Sequence, residues 1–191
     1  MIFGGHSYPV QFFGLHNFEN VKAAYYVVKE LGLTDEEFVS GVQTMPGPAR
    51  RLEVIRSNED HTTYFDFAHA PSKVNATVKA VRERHPEKKL IAILELHTFS
   101  SLDKNFIPQY AHTLDPADEA YIFYNPETAK SKRMEIAEPE FLIHAFERDD
   151  IKVIQEKDEL EQLLLNVPTK DTVLLIMTSG NFGGLDVRKM F

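Results

Sequence analysis

The sequence predicts an α/β fold, in which a mostly parallel sheet carries helices on both faces and is entered through an antiparallel hairpin. Three observations carry that expectation. Continuously apolar runs recur, such as Leu90-Ile91-Ala92-Ile93-Leu94 and Val173-Leu174-Leu175-Ile176-Met177. Strands covered on both faces read this way, because neither side needs a polar residue. Helix-length amphipathic segments lie between these runs, the alternation that builds parallel sheets. Finally, residues 50–56 alternate apolar and polar, turn at Ser57-Asn58-Glu59-Asp60 and return as 61–65, which is a hairpin signal.

Taken in order, Val10-Gln11-Phe12-Phe13 reads as a short strand stopped by Gly14. A helix follows through Val21, Ala24, Tyr25, Val28 and Leu31, with Asn17 as its cap, Asn20 one turn on, and Gly32 just past its end. The second helix opens with Thr34 and Glu37 spaced as a capping box and carries Phe38, Val39 and Val42 on one face. The stiff loop Met45-Pro46-Gly47-Pro48-Ala49 marks a boundary, giving units 1–46 and 47–191, and Pro46-Gly47-Pro48 is a candidate hinge, since hinges commonly sit in such short loops. The first unit is too short to stand on a core of its own. After the hairpin come helix 71–85, opened by Pro71, strand 90–96, helix 104–114, strand 120–124, helix 139–147, strand 151–154, helix 157–166 and strand 172–177.

Composition narrows the function. The chain has 191 residues, 43% hydrophobic, with a net charge of -8. That apolar content is enough for one folded domain, or a domain plus part of another, and argues against disorder. The acidic balance disfavours nucleic acid, which needs a concentrated basic face, but leaves room for a single nucleotide held by a few local donors. The absence of cysteine removes disulfides, thiolate metal sites and thiol nucleophiles. There is no basic, apolar leader at the start and no run near the ~20 apolar residues a membrane helix needs. A cytoplasmic location without membrane contact is the expectation.

Chemistry-bearing residues cluster where strands end or helices begin. Ligands of open α/β sheets gather at the carboxyl ends of strands, near the free N–H groups of helix N-termini. Asp66 and His69 stand at such a junction, where a carboxylate can accept from ribose hydroxyls and an imidazole can donate to phosphate; capping of the next helix explains them equally well. The amides of Asn17 and Asn20 suit a purine edge, or a helix start. Arg50-Arg51 offers bidentate phosphate binding, or two solvated charges at a strand start. Thr178-Ser179-Gly180-Asn181-Phe182-Gly183-Gly184 forms either a backbone nest for an anion or a plain tight turn. It fits neither G-x-G-x-x-G nor the P-loop pattern. Glu95-Leu96-His97-Thr98-Phe99-Ser100-Ser101 ends the next buried strand, where a substrate pocket would fall. No histidine pair has the helical spacing of a metal site.

The order of these clusters resembles the Mur ligases of peptidoglycan synthesis. The residues that carry the likeness are Gly14-Leu15-His16-Asn17-Phe18-Glu19-Asn20 with Ala23-Ala24, then Arg50-Arg51-Leu52-Glu53, Asp66-Phe67-Ala68-His69-Ala70-Pro71 and the closing Ser179-Gly180-Asn181-Phe182-Gly183-Gly184. Within the family the chain is most similar to the recycling branch, which joins L-alanyl-γ-D-glutamyl-meso-diaminopimelate to UDP-N-acetylmuramate, and next to the branch that adds L-alanine. The resemblance implies a Rossmann-like C-terminal domain preceded by the end of a central ATPase domain. It implies ATP and Mg2+ as cofactors. Asn17 and Asn20 would face adenine, Arg51 the phosphates and Asp66 the ribose, with His69 beside the nucleotide. His97, Thr98, Ser179, Gly180, Asn181 and Gly183 would line the side of the incoming amino acid or peptide. Ala70 stands where the family often has a second histidine, and His97-Thr98 stands where both branches carry an arginine, which leaves the acceptor open. Because the UDP-sugar domain and the P-loop are absent from this stretch, the chain is expected to be a fragment, inactive alone and dependent on the missing N-terminal and central domains. A folylpolyglutamate synthase-type ligase and a non-catalytic, flavodoxin-like nucleotide-binding module are the alternatives.

Overall fold

A computed structural model describes all residues except Pro46 and Pro48. Two of the three residues of the candidate hinge, Pro46 and Pro48, therefore lie outside the described ones. A two-stranded hairpin, β1 (Ile2–Phe3) and β2 (His6–Ser7), precedes helices α1 (Leu15–Glu30) and α2 (Asp35–Thr44). The chain continues through β3 (Glu53–Ser57), β4 (His61–Asp66), α3 (Pro71–Arg84), β5 (Lys89–Glu95), β6 (Glu119–Phe123), α4 (Pro126–Ser131), α5 (Pro139–Ala145), β7 (Lys152–Ile154), α6 (Lys157–Leu165) and β8 (Thr172–Met177).

The main sheet has the order β3-β4-β8-β5-β6-β7, with β3 antiparallel to β4 and every other pairing parallel. This is the expected α/β architecture. All six residues of β8 are buried, as a strand flanked on both sides and covered on both faces must be. Side chains alternate between two cores: Leu90, Ala92 and Leu94 pack with Val74, Val78 and Val81 of α3 and Leu142 of α5, while Ile91 and Ile93 pack with Leu160 and Leu164 of α6. A third cluster, around Phe12, Phe38, Val39 and Val42, is drawn wholly from the first 45 residues. Phe13, next to Phe12 in the chain, packs instead against the sheet's core, its ring edge-on to Tyr64 with centroids 5.4 Å apart.

Local chemistry explains most boundaries. Thr34 and Glu37 make the reciprocal capping box, with Glu37 N–H donating to Thr34 Oγ1 and Thr34 N–H to Glu37 Oε2. Pro71 occupies the first turn of α3, where its missing N–H has no helical partner to lose.

Three expectations are corrected. Residues 10–13 pair with no strand, because the apolar side chain of Phe12 goes into the helical cluster instead. α1 begins at Leu15 with Gly14 before it at φ 88, so Asn17 is a first-turn residue rather than the cap, and its Nδ2 donates to the Phe13 carbonyl at 2.7 Å. Residues 104–114 hold only a 3-10 turn at Ile107–Tyr110, because Pro108 removes a donor and His112 adopts a positive φ of 61. The apolar spacing of Ile107, Tyr110 and Leu114 is buried all the same.

One feature of the topology creates the site. After β4 the chain leaves over the α3 face, whereas after β8 it leaves over the α6 face, carrying Phe182 and Val187 into that core. Neighbouring parallel strands whose connections part in opposite directions open a crevice at their carboxyl ends. In register, Asp66 lies opposite Met177, and Met177 opposite Leu94, so Asp66, Thr178 and Glu95 share that rim.

Candidate functional site: a nucleotide-type cavity and an acceptor-side loop

The turn before β3 organises the rim. Arg50 and Leu52 have φ of 56 and 48, left-handed conformations that cost an L-residue with a Cβ roughly 1–2 kcal/mol each. The turn is held by Asp66 and its neighbour: Leu52 N–H donates to Asp66 Oδ2 at 2.7 Å, and Phe67 N–H donates to the Arg50 carbonyl at 2.8 Å. Asp66 Oδ1 accepts from Ala68 N–H at 2.6 Å. The carboxylate is thus enclosed, 1% exposed, and burial pushes its pKa up despite these donors and the nearby Arg51 and His16 charges. It does not cap α3, whose N-cap is Ala70 without a side-chain bond.

This twist sends the two arginines apart. Arg51 joins Asn17 and Asn20, together with Phe12, Val21, Ala24 and Met45, around a cavity of about 280 Å³. Three of the expected nucleotide residues, from α1 and from the turn 31 residues beyond Asn20, therefore line one space with apolar walls and amide and guanidinium donors. Arg51 also lies over the Phe67 ring, 5.5 Å from its centroid, and His69 packs edge-on against the same ring at 5.1 Å. His69 Nδ1 is 2.8 Å from the Phe67 carbonyl, which can only accept, so Nδ1 carries the proton and Nε2 faces away. Neither Asp66 nor His69 lines this cavity.

The second group forms around Glu95, which opens the 95–101 segment expected at the substrate side but was given no role of its own. Its carboxylate is 4% exposed, accepts from Thr178 Oγ1 and, at 2.9 Å, from Phe182 N–H. Gly180 N–H donates to Thr178 Oγ1 at 2.7 Å. The glycine-rich loop is thus a nest whose anion belongs to the chain itself. Burial raises the Glu95 pKa, opposed by the Thr178 hydroxyl, His97 and the loop's backbone donors. The His97 ring lies 3.7 Å from Glu95, and a Cβ on Gly180 would fall 2.6 Å from His97 Cγ and 2.7 Å from Glu95 Oε2. Only glycine lets the loop approach this closely.

The other expected acceptor residues scatter. Ser179 places its Oγ in a buried position with no hydrogen-bond partner. Asn181 is exposed and accepts from Gly184 N–H at 3.3 Å, while Gly183 turns away toward Asn125. Thr98 spends its hydroxyl on the Ser100–Leu102 turn, accepting from Ser101 N–H at 3.2 Å. A buried acid closing an otherwise apolar strand was the signal for Glu95. Among the described residues no three His, Asp or Glu side chains converge as a metal cage.

A mostly parallel sheet with helices on both faces, and with Asp66, Thr178 and Glu95 gathered at one carboxyl rim, places the chain in the class of open, doubly wound α/β domains. Residues 50–180 match the family model described as "Mur ligase, glutamate ligase domain", and the chain belongs to the Mur ligase family. A relative from Chlorobium chlorochromatii, UDP-N-acetylmuramate–L-alanine ligase, is 31% identical over 173 residues, covering 88% of this chain and 37% of the relative. The structure of UDP-N-acetylmuramate–alanine ligase from Thermotoga maritima superposes with a TM-score of 0.72 at 18% identity, covering 95% of this chain and 38% of that one. A murein peptide ligase from Psychrobacter arcticus gives 0.66 at 20% identity, covering 95% and 37%. These two structural likenesses speak for the fold alone. The chain spans less than two fifths of the length of these relatives, at 37–38%.

Proposed function

We propose that this chain is the nucleotide-closing and acceptor-side part of an ATP-dependent ligase that joins UDP-N-acetylmuramate to an amino acid or short peptide, with units 1–46 and 47–191 contributing the end of the central domain and the closing domain. The observation that carries it is the convergence of Asn17, Asn20 and Arg51 on one cavity. Family membership supports the reaction class. Asn17 and Asn20 offer donors and acceptors to the adenine edge, and Arg51 offers a guanidinium to the phosphates. Asp66 fixes the turn that aims Arg51 and lies beneath the ribose, with His69 alongside.

ATP, when bound, supplies the phosphoryl group that turns a poor electrophile, the muramyl carboxylate, into an acyl phosphate open to an amine. Among the described residues no cluster of His, Asp and Glu side chains could hold a magnesium ion by itself. Glu95, through Thr178 and Phe182, holds the glycine loop at the acceptor side with His97, Ser179 and Gly180. The curated relatives at 29–31% identity are named for L-alanine addition, which supports that acceptor; the Ser179–Gly184 loop is the feature that favours a peptide.

The test is a backbone NMR titration of the 191-residue chain with ADP. Amides around Asn17, Asn20 and Arg51 should move. Arg51→Gln should weaken binding by about 1.5–3 kcal/mol, the worth of a charge-assisted hydrogen bond, or roughly 10- to 150-fold. Perturbations mapping elsewhere, or an unchanged affinity in both Arg51→Gln and Asn20→Ala, would overturn the assignment. Release of ADP from ATP by this chain alone, given UDP-muramate and peptide, would refute its dependence on further domains.

A further inference from the structure

The cavity lined by Asn17, Asn20 and Arg51 is built from two bodies of side chains. Both asparagines stand on α1, whose Phe18, Val21 and Tyr25 pack into the helical cluster around Phe12 and Phe38, while Arg51 stands on the turn that leads into the main sheet. Separate cores shift against each other unless a contact fixes them. Phe13 makes that contact. Its ring leaves the helical cluster and packs on the sheet's core, edge-on to Tyr64 at 5.4 Å and with the Arg84 guanidinium 5.8 Å from its centroid. Tyr64 is itself held, buried and hydrogen-bonded through its hydroxyl to His85 Nε2 at 2.9 Å. Gly14 then brings the backbone close: its φ is 88, and a Cβ there would lie 3.0 Å from Ala80 Cβ on α3 and 2.9 Å from His16 Cε1. Both residues also reach into the first turn of α1. The Gly14 carbonyl accepts from Asn17 N–H at 3.0 Å, and the Phe13 carbonyl accepts from Asn17 Nδ2 at 2.7 Å, which sets the way that amide points.

We propose that Phe13 is a positioning residue: its ring on Tyr64 and Arg84, with Gly14 against Ala80, fixes α1 on α3 and so sets how far Asn17 and Asn20 stand from Arg51. An edge-on aromatic pair prefers one orientation, and a guanidinium over an aromatic face adds a directional attraction, so this joint defines an angle as well as a distance. The angle matters because of leverage. Asn20 lies about 9 Å along the helix from Gly14. A tilt of about 20°, the ordinary scatter of helix crossing angles, would carry it about 3 Å, the length of a hydrogen bond. A ligand held by Arg51 would then lose Asn20. The joint stands on packing alone; only the statement that it positions a nucleotide site rests on the ligase reading.

Because the chain has no cysteine, two spin labels can be placed cleanly, through Lys22→Cys on α1 and Gln162→Cys on α6, both exposed positions. Pulsed electron resonance then reads the distance between α1 and the sheet domain, ADP titration reads the site, and amide hydrogen exchange at Ile93 and Leu174 reads the sheet itself. The labelled parent chain should show one narrow distance. Phe13→Ala and Gly14→Ala should each broaden that distribution and weaken ADP binding tenfold or more, with exchange at Ile93 and Leu174 unchanged. Phe13→Leu, which keeps most of the apolar bulk, should recover the greater part of both. A broad distribution in the parent, a narrow one in both variants, or unchanged ADP affinity beside a broadened distribution overturns the proposal. So does loss of protection at Ile93 and Leu174 in both variants, which would make Phe13 a support of the sheet and nothing more. If the parent binds no ADP while the distances respond as stated, the nucleotide reading falls and the joint remains.

Discussion

Replacing Asp66 by alanine tests the turn on which both arginines depend. The substitution removes the acceptor of two buried backbone donors, Leu52 N–H at 2.7 Å and Ala68 N–H at 2.6 Å. Each buried donor left without a partner costs about 1–3 kcal/mol, a gross loss of about 2–6. Against this, the variant no longer buries a carboxylate whose raised pKa shows that its charge is disfavoured in the fold. The net loss at neutral pH is therefore about 2–4 kcal/mol. For a chain of this length, about 3 kcal/mol corresponds to a fall in Tm of roughly 6–12 °C. Urea unfolding at pH 7, followed by circular dichroism, measures it. Asp66→Asn keeps one acceptor oxygen and should fall between alanine and the wild type. A loss below about 1 kcal/mol for Asp66→Ala would refute the claim that this carboxylate holds Leu52 in its left-handed conformation.

Two further substitutions probe the glycine loop. Gly180→Ala forces a methyl against His97 and Glu95 and should destabilise the chain by about 1–3 kcal/mol in urea unfolding, whereas Gly41→Ala, in α2 with nothing within 4 Å, should stabilise it by about 0.5–1; equal effects would contradict the close approach described for Gly180. Glu95 has a folded pKa above its ordinary value of 4.5, so the fold binds its proton more tightly than the unfolded chain does. The associated stability is full below pH 4.5 and is lost as pH rises through the raised folded value. Glu95→Gln, whose amide can still meet the Thr178 hydroxyl and the Phe182 N–H, should therefore gain on the wild type between pH 5 and pH 8; parallel stability profiles over that range would show that Glu95 is not buried as an acid.

The sheet was legible because its central strands carry their burial in composition: residues 173–177 are apolar throughout and all buried, and only the edge strand Glu53–Ser57, paired with His61–Asp66, mixes exposed and half-buried positions. The capping box of α2 was legible for a similar reason, since two residues three apart make both bonds. Residues 104–114 were not, because apolar spacing records which side chains are buried and not whether the backbone between them is α-helical or 3-10. α4 was missed although Asn125-Pro126 announces it; Asn125 Oδ1 accepts from Glu127 N–H at 2.8 Å and caps the helix. At the site, sequence order grouped Arg50 with Arg51, and the structure separates them into different cavities. That separation depends on two positive φ angles, for which neither arginine nor leucine gives a compositional sign.

The middle of the sheet is filled by its latest-made strand. β4 and β5 touch only through β8, so while a ribosome has delivered residues 1–170 the two halves of the sheet face each other across a gap, each with an open edge, that of β5 apolar from Leu90 to Leu94. Such edges recruit other chains, and pairings between segments more than a hundred residues apart form slowly. Nascent copies of this chain should accordingly lean on chaperones until the final core strand emerges, and a stop codon just ahead of it would leave an aggregation-prone product rather than a smaller domain.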